Sequence, residues 1–408
     1  MAPFPLAEIF GHYGAYVIYL LVGISFGAVL EMAGFGISTK LAAQFYFKDQ
    51  TVLKVMFTGI LVAMVLVFWA TGLGLLDYNR VWVNPTYLWP GIVGGLIMGF
   101  GFIIGGFCPG TSLVSAATLK IDGIVFILGV FTGIFIFGET VENISVFWNS
   151  SYLGRFTLQE WLGISTGTTV LLIIVIALFM FWGAEHLERI FGGKDLSKAP
   201  KARIVGAVVL LVATFGLVGM GQPTSLEKWN QISAEKTSLL ENREVQIHPG
   251  ELLDLINNNS LNLIMLDVRD ETDYNLYHIV DARSQAMDEL TKMAPVLLQE
   301  TANTVIVTID NDETRSTQAW QILTAESVPN VYILDGGINH WLDIFGHEGH
   351  ADCSTELIPD SDGLRHVFHG AMGSRHESAE PDEHTVEHLE YVPKVKLEKR
   401  KPTGGGCG

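Results

Sequence analysis

Long apolar stretches alternate with short polar segments over the first half of the chain. Six of these stretches have roughly 18 or more residues, the length that an α-helix needs to cross about 30 Å of hydrocarbon. They lie near residues 13–33, 51–76, 88–107, 121–140, 162–184 and 204–221. The first lacks a basic start and a cleavage site, so we expect a retained span and not a signal peptide. The pattern predicts an α-helical polytopic membrane domain with about six spans.

Two shorter segments, residues 36–47 and 108–120, follow the first and third spans. They are too short to cross a bilayer, and each begins at or just after a glycine-rich run. A bilayer permits broken backbone only where protein or a water-filled cavity satisfies its polar groups. We therefore predict two broken or re-entrant segments.

The two segments belong to an internal repeat with an offset of 72 residues. Residues 26–41, FGAVLEMAGFGISTKL, align with residues 98–113, MGFGFIIGGFCPGTSL. The identities pair Gly27 with Gly99, Gly34 with Gly106, Phe35 with Phe107, Thr39 with Thr111 and Leu41 with Leu113. Paired discontinuous helices are typical of transporters, in which the site lies where the half-helix ends converge.

The segment GGFCPGTS around Cys108 carries the candidate chemistry of this half. Pro109 and Gly110 stop the incoming helix, and the next two hydroxyl side chains can cap the helix that follows. The positive end of that helix would face Cys108 and favour anions there. The alternative is a small, inert, buried cysteine. The predicted transport pathway consists of Gly36, Gly106, Phe107, Cys108, Pro109, Gly110, Thr111 and Ser112.

Composition and charge separate the two halves of the chain. A content of 49% hydrophobic and 17% charged residues is unlike that of an ordinary soluble domain. The net charge of -18 is confined to the C-terminal part, since residues 1–203 hold 11 Lys/Arg against 11 Asp/Glu and the remainder holds 14 against 32. No basic face is available for phosphate, which excludes a nucleic-acid partner. Three cysteines are too few for a disulfide framework.

The Lys/Arg residues of the short loops predict the orientation. Two of them, Arg80 and Arg155, lie on one side of a six-span arrangement. The other side carries Lys40, Lys48, Lys54, Lys120, Arg189, Lys194, Lys198, Lys201 and Arg203. The positive-inside rule makes this second side cytoplasmic. We expect a multi-pass protein of the inner (plasma) membrane whose acidic half is periplasmic or extracellular. If residues 204–221 only lie on the membrane surface, that half is cytoplasmic.

The paired repeats and the GGFCPGTS motif resemble the YeeE/YedE family of sulfur-compound transporters over about residues 15–140. The resemblance implies uptake of thiosulfate or another small sulfur compound through a pore lined by cysteines, with Cys108 as a pore cysteine and no cofactor. Gly36 stands where many members carry a second cysteine, and a second pair of repeats found in the family is not seen here. We therefore expect a homodimer or an altered conduction path.

From about residue 261 the chain alternates strands and helices, which predicts an α/β domain with a parallel sheet. Residues 245–347 resemble a rhodanese domain through the segments 266–270, 278–282 and 334–341.

In a rhodanese, a loop holds a nucleophilic cysteine. The matching Arg315 and Ser316 assign the nucleophile's position to Asp310, and a carboxylate cannot accept sulfane sulfur. We expect a docking module for a sulfur carrier and no ordinary sulfurtransferase activity. In that case Arg315 could pair structurally with the acids of its own loop.

The remaining residues, 348–408, are charged and are expected to be ordered only in patches. His347, His350 and Cys353 have spacings that could ligate zinc or copper, and a solvated histidine run is the alternative.

The chain ends in PTGGGCG, preceded by five basic residues, which predicts an exposed and mobile thiol at Cys407. This ending resembles the C-terminal swinging arm of the Sox sulfur carrier, which implies that Cys407 bears substrate covalently. An expression scar or a disulfide with Cys353 are the alternatives.

Together these features predict a transport domain (1–222), a connector (223–244), a rhodanese-like domain without its cysteine (245–347) and a His-rich tail (348–408). The function they indicate is a membrane transporter or relay for thiosulfate or sulfane sulfur. The alternatives are a membrane-anchored sulfurtransferase, a carrier-docking protein and a metal-binding or sensing module.

Overall fold

The structure is a computed structural model that describes residues 4, 6–81, 83–193, 201–346, 353–354, 363–368 and 370–397. The chain forms two compact units, which divide between Gln222 and Pro223.

The first unit is helical. Its helices are α1 (Leu6–Met32), α2 (Ser38–Ala42), α3 (Thr51–Gly72), α4 (Leu88–Gly105), α5 (Pro109–Ala117), α6 (Ile121–Thr140), α7 (Ser145–Trp148), α8 (Leu158–Leu162), α9 (Thr166–Phe191) and α10 (Ala202–Met220). Within the described ranges, six helical segments are long and apolar enough to cross a membrane. Most of their large apolar side chains are exposed, as is typical of helices that face lipid. The predicted six spans are confirmed.

The fifth span differs from its predicted bounds of 162–184. Gly163 adopts a left-handed conformation (φ 64°) and ends the short helix α8. The hydroxyl of Ser165 then accepts a hydrogen bond from the backbone N–H of Thr168 at 3.3 Å, which caps a new helix. The span therefore begins at Thr166 and continues to Phe191.

Helices α3, α9 and α10 share one buried cluster that includes Leu61, Ile174 and Leu217. The carboxylate of Glu188 fixes the end of α9 to the start of α3, because it accepts the backbone N–H of Gln50 at 2.6 Å and pairs with Lys54 at 2.7 Å. Glu188 is buried, so this ion pair is part of the packing of the unit.

The second unit is an α/β domain. Its helices are α11 (Ser225–Glu241), α12 (Pro249–Ile256), α13 (Glu271–Leu276), α14 (Leu290–Leu297), α15 (Thr314–Ala325) and α16 (Gly337–Phe345). Its strands are β1 (Gln246–Ile247), β2 (Asn262–Asp267), β3 (Arg283–Ser284), β4 (Thr304–Ile309), β5 (Val331–Leu334), β6 (Cys353–Ser354) and β7 (Val367–Phe368). The first five form a parallel sheet in the order β1-β5-β4-β2-β3, which confirms the predicted parallel sheet.

Two cores lie on opposite faces of this sheet, because successive side chains of a strand point to opposite sides. In β4, Val305 and Val307 face a core that α12 and α16 complete, whereas Ile306 faces a core that α14 and α15 complete. Buried central strands of this kind read as continuous apolar runs, which is the pattern of the sequence here.

Residues outside the predicted rhodanese-like boundaries also pack on this unit. Trp229 of α11 contacts Trp320 edge-on at 5.8 Å, so the predicted connector contributes a helix to the second core. From the tail, Phe368 stacks on Tyr277 at 5.4 Å. Farther along, Glu251 accepts the backbone N–H groups of two tail residues, Lys394 and Val395, at 2.8 Å each.

Trp341 is the natural test of the first core. It is fully buried, and its indole N–H donates to the carbonyl of Ser378 at 2.8 Å. In the fragment 223–408, Trp341→Ala should lower the free energy of unfolding by about 3–5 kcal/mol, because it leaves a cavity and removes one of the hydrogen bonds to the Ser378 carbonyl. Urea unfolding followed by circular dichroism measures this change. The exposed Val296→Ala is the control and should shift stability by less than about 0.5 kcal/mol. A similar effect of both substitutions would contradict the packing described.

Candidate functional site

Two glycines break the membrane helices at matching positions of the repeat. Gly34 (φ 80°) follows the end of α1, and Gly106 (φ 70°) follows the end of α4. A left-handed residue at this point lets the chain turn out of a helix while its N–H still reaches back into the last turn. The N–H of Gly106 does so to the carbonyl of Phe102 at 2.9 Å.

The two breaks are in contact with each other. A Cβ placed on Gly106 would lie 3.0 Å from the carbonyl oxygen of Ser38 and 3.1 Å from its Cβ, so only glycine leaves enough room. Phe35 and Phe107, which match in the repeat, are both buried in one cluster with Leu41. The half-helix ends of the two repeats therefore converge.

Cys108 begins the second of these half-helices. Its sulfur accepts the backbone N–H of Thr111 at 3.4 Å, and the hydroxyl of Thr111 accepts the backbone N–H of Cys108 at 3.0 Å. This reciprocal cap satisfies two backbone donors. Pro109 and Gly110 form the first turn of α5, and the hydroxyl of Ser112 donates to the carbonyl of Pro109 at 2.7 Å.

The thiol is half-buried and lies at the positive end of a nine-residue helix. Among the described residues Cys108 is a free cysteine. This arrangement presents a sulfur atom and a field that favours anions at the point where the breaks meet.

At the matching position of the first repeat, an ion pair takes the space of the missing side chain. Lys120 Nζ lies 3.0 Å from Glu31 Oε1. A Cβ on Gly36 would lie 2.8 Å from that ammonium group and would clash with the other oxygen of Glu31. Neither residue of this pair was among the predicted site residues, because Lys120 entered the prediction only as a loop cation that sets the orientation. The available signal was an acidic residue inside an apolar span, which is rare and marks functional positions.

Two more polar contacts surround the first break. The ammonium group of Lys40 donates to the carbonyl of Ala33 at 2.7 Å, which satisfies an acceptor freed at the end of α1. The hydroxyl of Ser38 donates to Asp122 at 3.4 Å. The charged groups near this break are thus two cations and two anions.

In the second unit, the carboxylate of Asp310 occupies the loop of the rhodanese-like domain. It accepts the backbone N–H groups of Glu313 at 2.7 Å, Arg315 at 2.7 Å and Ser316 at 3.1 Å, and the hydroxyl of Ser316 at 2.9 Å. Burial raises the pKa of Asp310, and these hydrogen bonds act in the opposite direction. The donors that could bind an anion are therefore already used by the loop itself.

Two other charged residues of this loop, Glu313 and Arg315, form ion pairs with residues outside it. Arg315 contacts Asp270 at 2.9 Å, not one of the acids of its own loop that the sequence suggested as partners. Glu313 pairs with Arg243 at 2.6 Å and accepts the backbone N–H of Gly336 at 2.6 Å. The loop is held closed by contacts on both sides.

The remaining predicted site residues are not brought together by the described structure. His347, His350 and Cys407 lie outside the described residues, and Cys353 is described only as part of strand β6. Among the described residues no group of three His, Cys, Asp or Glu side chains could hold a metal ion.

Comparison with known proteins gives matches for both units. Residues 32–237 match the family model described as sulphur transport, and residues 248–344 match the model of the rhodanese-like domain. A curated relative, the thiosulfate transporter TsuA of Spirochaeta thermophila, is 24% identical over 222 residues, which cover 49% of this chain and 62% of that transporter. The chain thus matches less than two thirds of the length of this relative. No solved structure matches it.

The sulphur transport model covers half of the chain, including both helix breaks, Lys120 and Cys108. The resemblances that the two repeats and the three rhodanese segments indicated are confirmed. The chain belongs to the sulphur transport family and carries a rhodanese-like domain in its C-terminal half.

Proposed function

We propose that this protein carries thiosulfate, or sulfane sulfur derived from it, across the membrane, and that Cys108 is the thiol that meets the sulfur compound. One observation supports this most strongly. The half-buried thiol caps α5 where the two helix breaks meet, so it combines a nucleophilic atom with a local preference for anions. The printed name of the relative TsuA points to the same substrate.

The charge of the substrate favours a relay through thiols. Moving a dianion inward against 100 mV costs about 2 × 2.3 kcal/mol. A sulfur atom passed between thiols moves without net charge. A separate sulfur-carrier protein first loads Cys407 with sulfane sulfur by thiol exchange, and the carrier's own thiolate leaves. The thiolate of Cys108 then attacks the outer sulfur of this persulfide on Cys407. The old S–S bond breaks, a new one forms, and Cys407 leaves as a thiolate, so no oxidant or reductant is consumed.

In this proposal the rhodanese-like domain docks a carrier and does not react. The filled donor set around Asp310 supports this role, because a buried carboxylate held by four hydrogen bonds leaves no place for a second anion. The docked carrier is either the Cys407 arm or a separate sulfur-carrier protein.

We further propose that the protein resides in the inner membrane as a homodimer, with the acidic half outside. The distribution of Lys/Arg in the loops supports this orientation. The exposed apolar surfaces of α4 and α6 are available to a second copy. A metal-binding role has no supporting contact among the described residues.

Uptake of radiolabelled thiosulfate into cells tests the relay. Cys108→Ala should reduce uptake to the level of cells without the protein, because no other described thiol can replace it. Cys407→Ala should reduce uptake strongly, and Cys353→Ala is the matched control that should retain it. Undiminished uptake in both Cys108→Ala and Cys407→Ala would contradict the proposed relay.

Sulfurtransferase activity distinguishes a carrier module from an enzyme. The fragment 224–408 should form almost no thiocyanate from thiosulfate and cyanide, because Asp310 stands at the nucleophile's position and its cradle is filled. A clear rate that disappears in Cys407→Ala would instead support a membrane-anchored sulfurtransferase that uses the terminal thiol.

Labelling with a membrane-impermeant maleimide tests the orientation. In intact cells expressing a Cys108→Ala, Cys353→Ala variant, Cys407 should be modified without permeabilisation. Modification only after the membrane is opened would show that the acidic half faces the cytoplasm.

A further inference from the structure

The Glu31–Lys120 pair occupies the position that matches Cys108 in the first repeat. We propose that Lys120 is an anion-binding residue of the transport pathway and that Glu31 is its exchangeable counter-charge, which an incoming sulfur oxyanion displaces. This inference rests on the proposed transport of sulfur compounds and names the group that recognises their charged oxygens.

The space beside Gly36 is the main observation that supports this proposal. Gly106 contacts Ser38, so residues of the first break adjoin the second break, which leads directly into Cys108. At Gly36 the ammonium group and the carboxylate fill the volume where a side chain would lie. The two repeats therefore offer a thiol on one side and a charged pair on the other.

The Glu31–Lys120 ion pair is loosely held, which suits replacement of Glu31 by another anion better than a structural role. The side chains of Lys120 and Glu31 are 37% and 39% exposed, and a single contact of 3.0 Å joins them. The second carboxylate oxygen of Glu31 is buried and has no hydrogen-bond partner among the described residues. By contrast, Glu188 in the Lys54 pair is 2% exposed and uses both oxygens.

The backbone holds Lys120 in place independently of Glu31. Its N–H donates to the carbonyl of Ser115 at 3.1 Å, directly before α6 begins. Asp122, two residues farther on, accepts from the hydroxyl of Ser38, and the ammonium group of Lys40 donates to the carbonyl of Ala33. Among the charged groups described near this break, Lys120 is the cation whose partner is a partly exposed carboxylate.

An oxyanion matches this site chemically. An ammonium group forms short, charge-assisted hydrogen bonds with the oxygens of sulfonate-like or sulfate-like groups. When an oxyanion takes the place of the Glu31 carboxylate, Lys120 keeps a negative partner. The exchange breaks one ion pair and forms another, and no covalent bond changes.

Kinetics of thiosulfate uptake by the full chain in proteoliposomes test the proposal. Lys120→Gln should raise the KM for thiosulfate by about tenfold or more, with little change in maximal rate, and Lys120→Arg should restore most of the affinity. Glu31→Gln should lower the KM, because it removes the competitor. A purely structural ion pair predicts equal harm from Lys120→Gln and Glu31→Gln, and that result would overturn the proposal.

Arg203→Gln is the matched control. Arg203 pairs with Glu185 at 2.6 Å and has the same 37% side-chain exposure as Lys120, but it joins α9 to α10. Its removal should leave the KM unchanged. An equal rise of KM in Arg203→Gln and Lys120→Gln would contradict a specific role for Lys120.

A measurement without transport separates this proposal from the function it rests on. Thiosulfate should protect Lys120 of the purified full chain from an amine-reactive label, detected by mass spectrometry, and protection should be stronger in Glu31→Gln. Protection of Lys120 without any thiosulfate uptake by the wild type would contradict the proposed transport function and would still support the anion site. If uptake depends on Cys108 but thiosulfate does not protect Lys120 from the label, only the proposed anion site is contradicted.

Discussion

A break in a membrane helix exposes backbone groups that hydrocarbon cannot satisfy, and this constraint explains most of the site. The two breaks at Gly34 and Gly106 are satisfied by polar groups of the chain itself. Lys40 covers a carbonyl at the end of α1, and Thr111 and Cys108 cap each other at the start of α5. Because Gly106 packs directly on Ser38, the two breaks and the polar groups that satisfy them are close to each other. The polar groups that lie together between the repeats are thus a direct consequence of how the breaks are sealed.

How much of this could be predicted from the sequence depends on the distance over which each interaction acts. The spans and the breaks follow from runs of residues and a repeat, which are local signals, and β2, β4 and β5 follow from apolar runs. The Glu31–Lys120 pair joins residues 89 positions apart, so the sequence near Glu31 could mark an acidic residue in an apolar span but could not identify its partner. The same holds for Arg315, whose partner Asp270 comes from another loop. The start of the fifth span was missed for a local reason, the left-handed turn at Gly163.

Each unit has a carboxylate at or beside a position that resemblance assigns to a sulfur nucleophile: Asp310 occupies it in the second unit, and Glu31 lies beside Gly36 in the first. The two carboxylates are held differently. Asp310 is fully buried and accepts four hydrogen bonds, so removing it would strand several donors in the core. Glu31 is partly exposed, and in the part of the chain that the structure describes it has one ion-pair partner and one oxygen without a hydrogen bond. A carboxylate that is fixed by several hydrogen bonds prevents another anion from binding at its position. A loosely held carboxylate balances the charge of a neighbouring cation and can be displaced by an anion that binds the cation more strongly. This difference is the physical basis for the two proposed roles, docking at the Asp310 loop and anion exchange at Glu31.

A cation in the pathway does not by itself solve the energetics of uptake. Lys120 can lower the barrier for an oxyanion to reach the breaks, but the work against the membrane potential depends only on the net charge that crosses. A local lysine leaves that charge unchanged, because the lysine stays behind when the anion leaves. Net uptake of a dianion therefore needs a cation that moves with it or rapid consumption inside. Transfer of a neutral sulfur atom to a thiol avoids the requirement. In the proposed scheme Lys120 and Cys108 divide the work accordingly: the ammonium group selects the charged end of the substrate, and the thiol takes the part that can cross without charge.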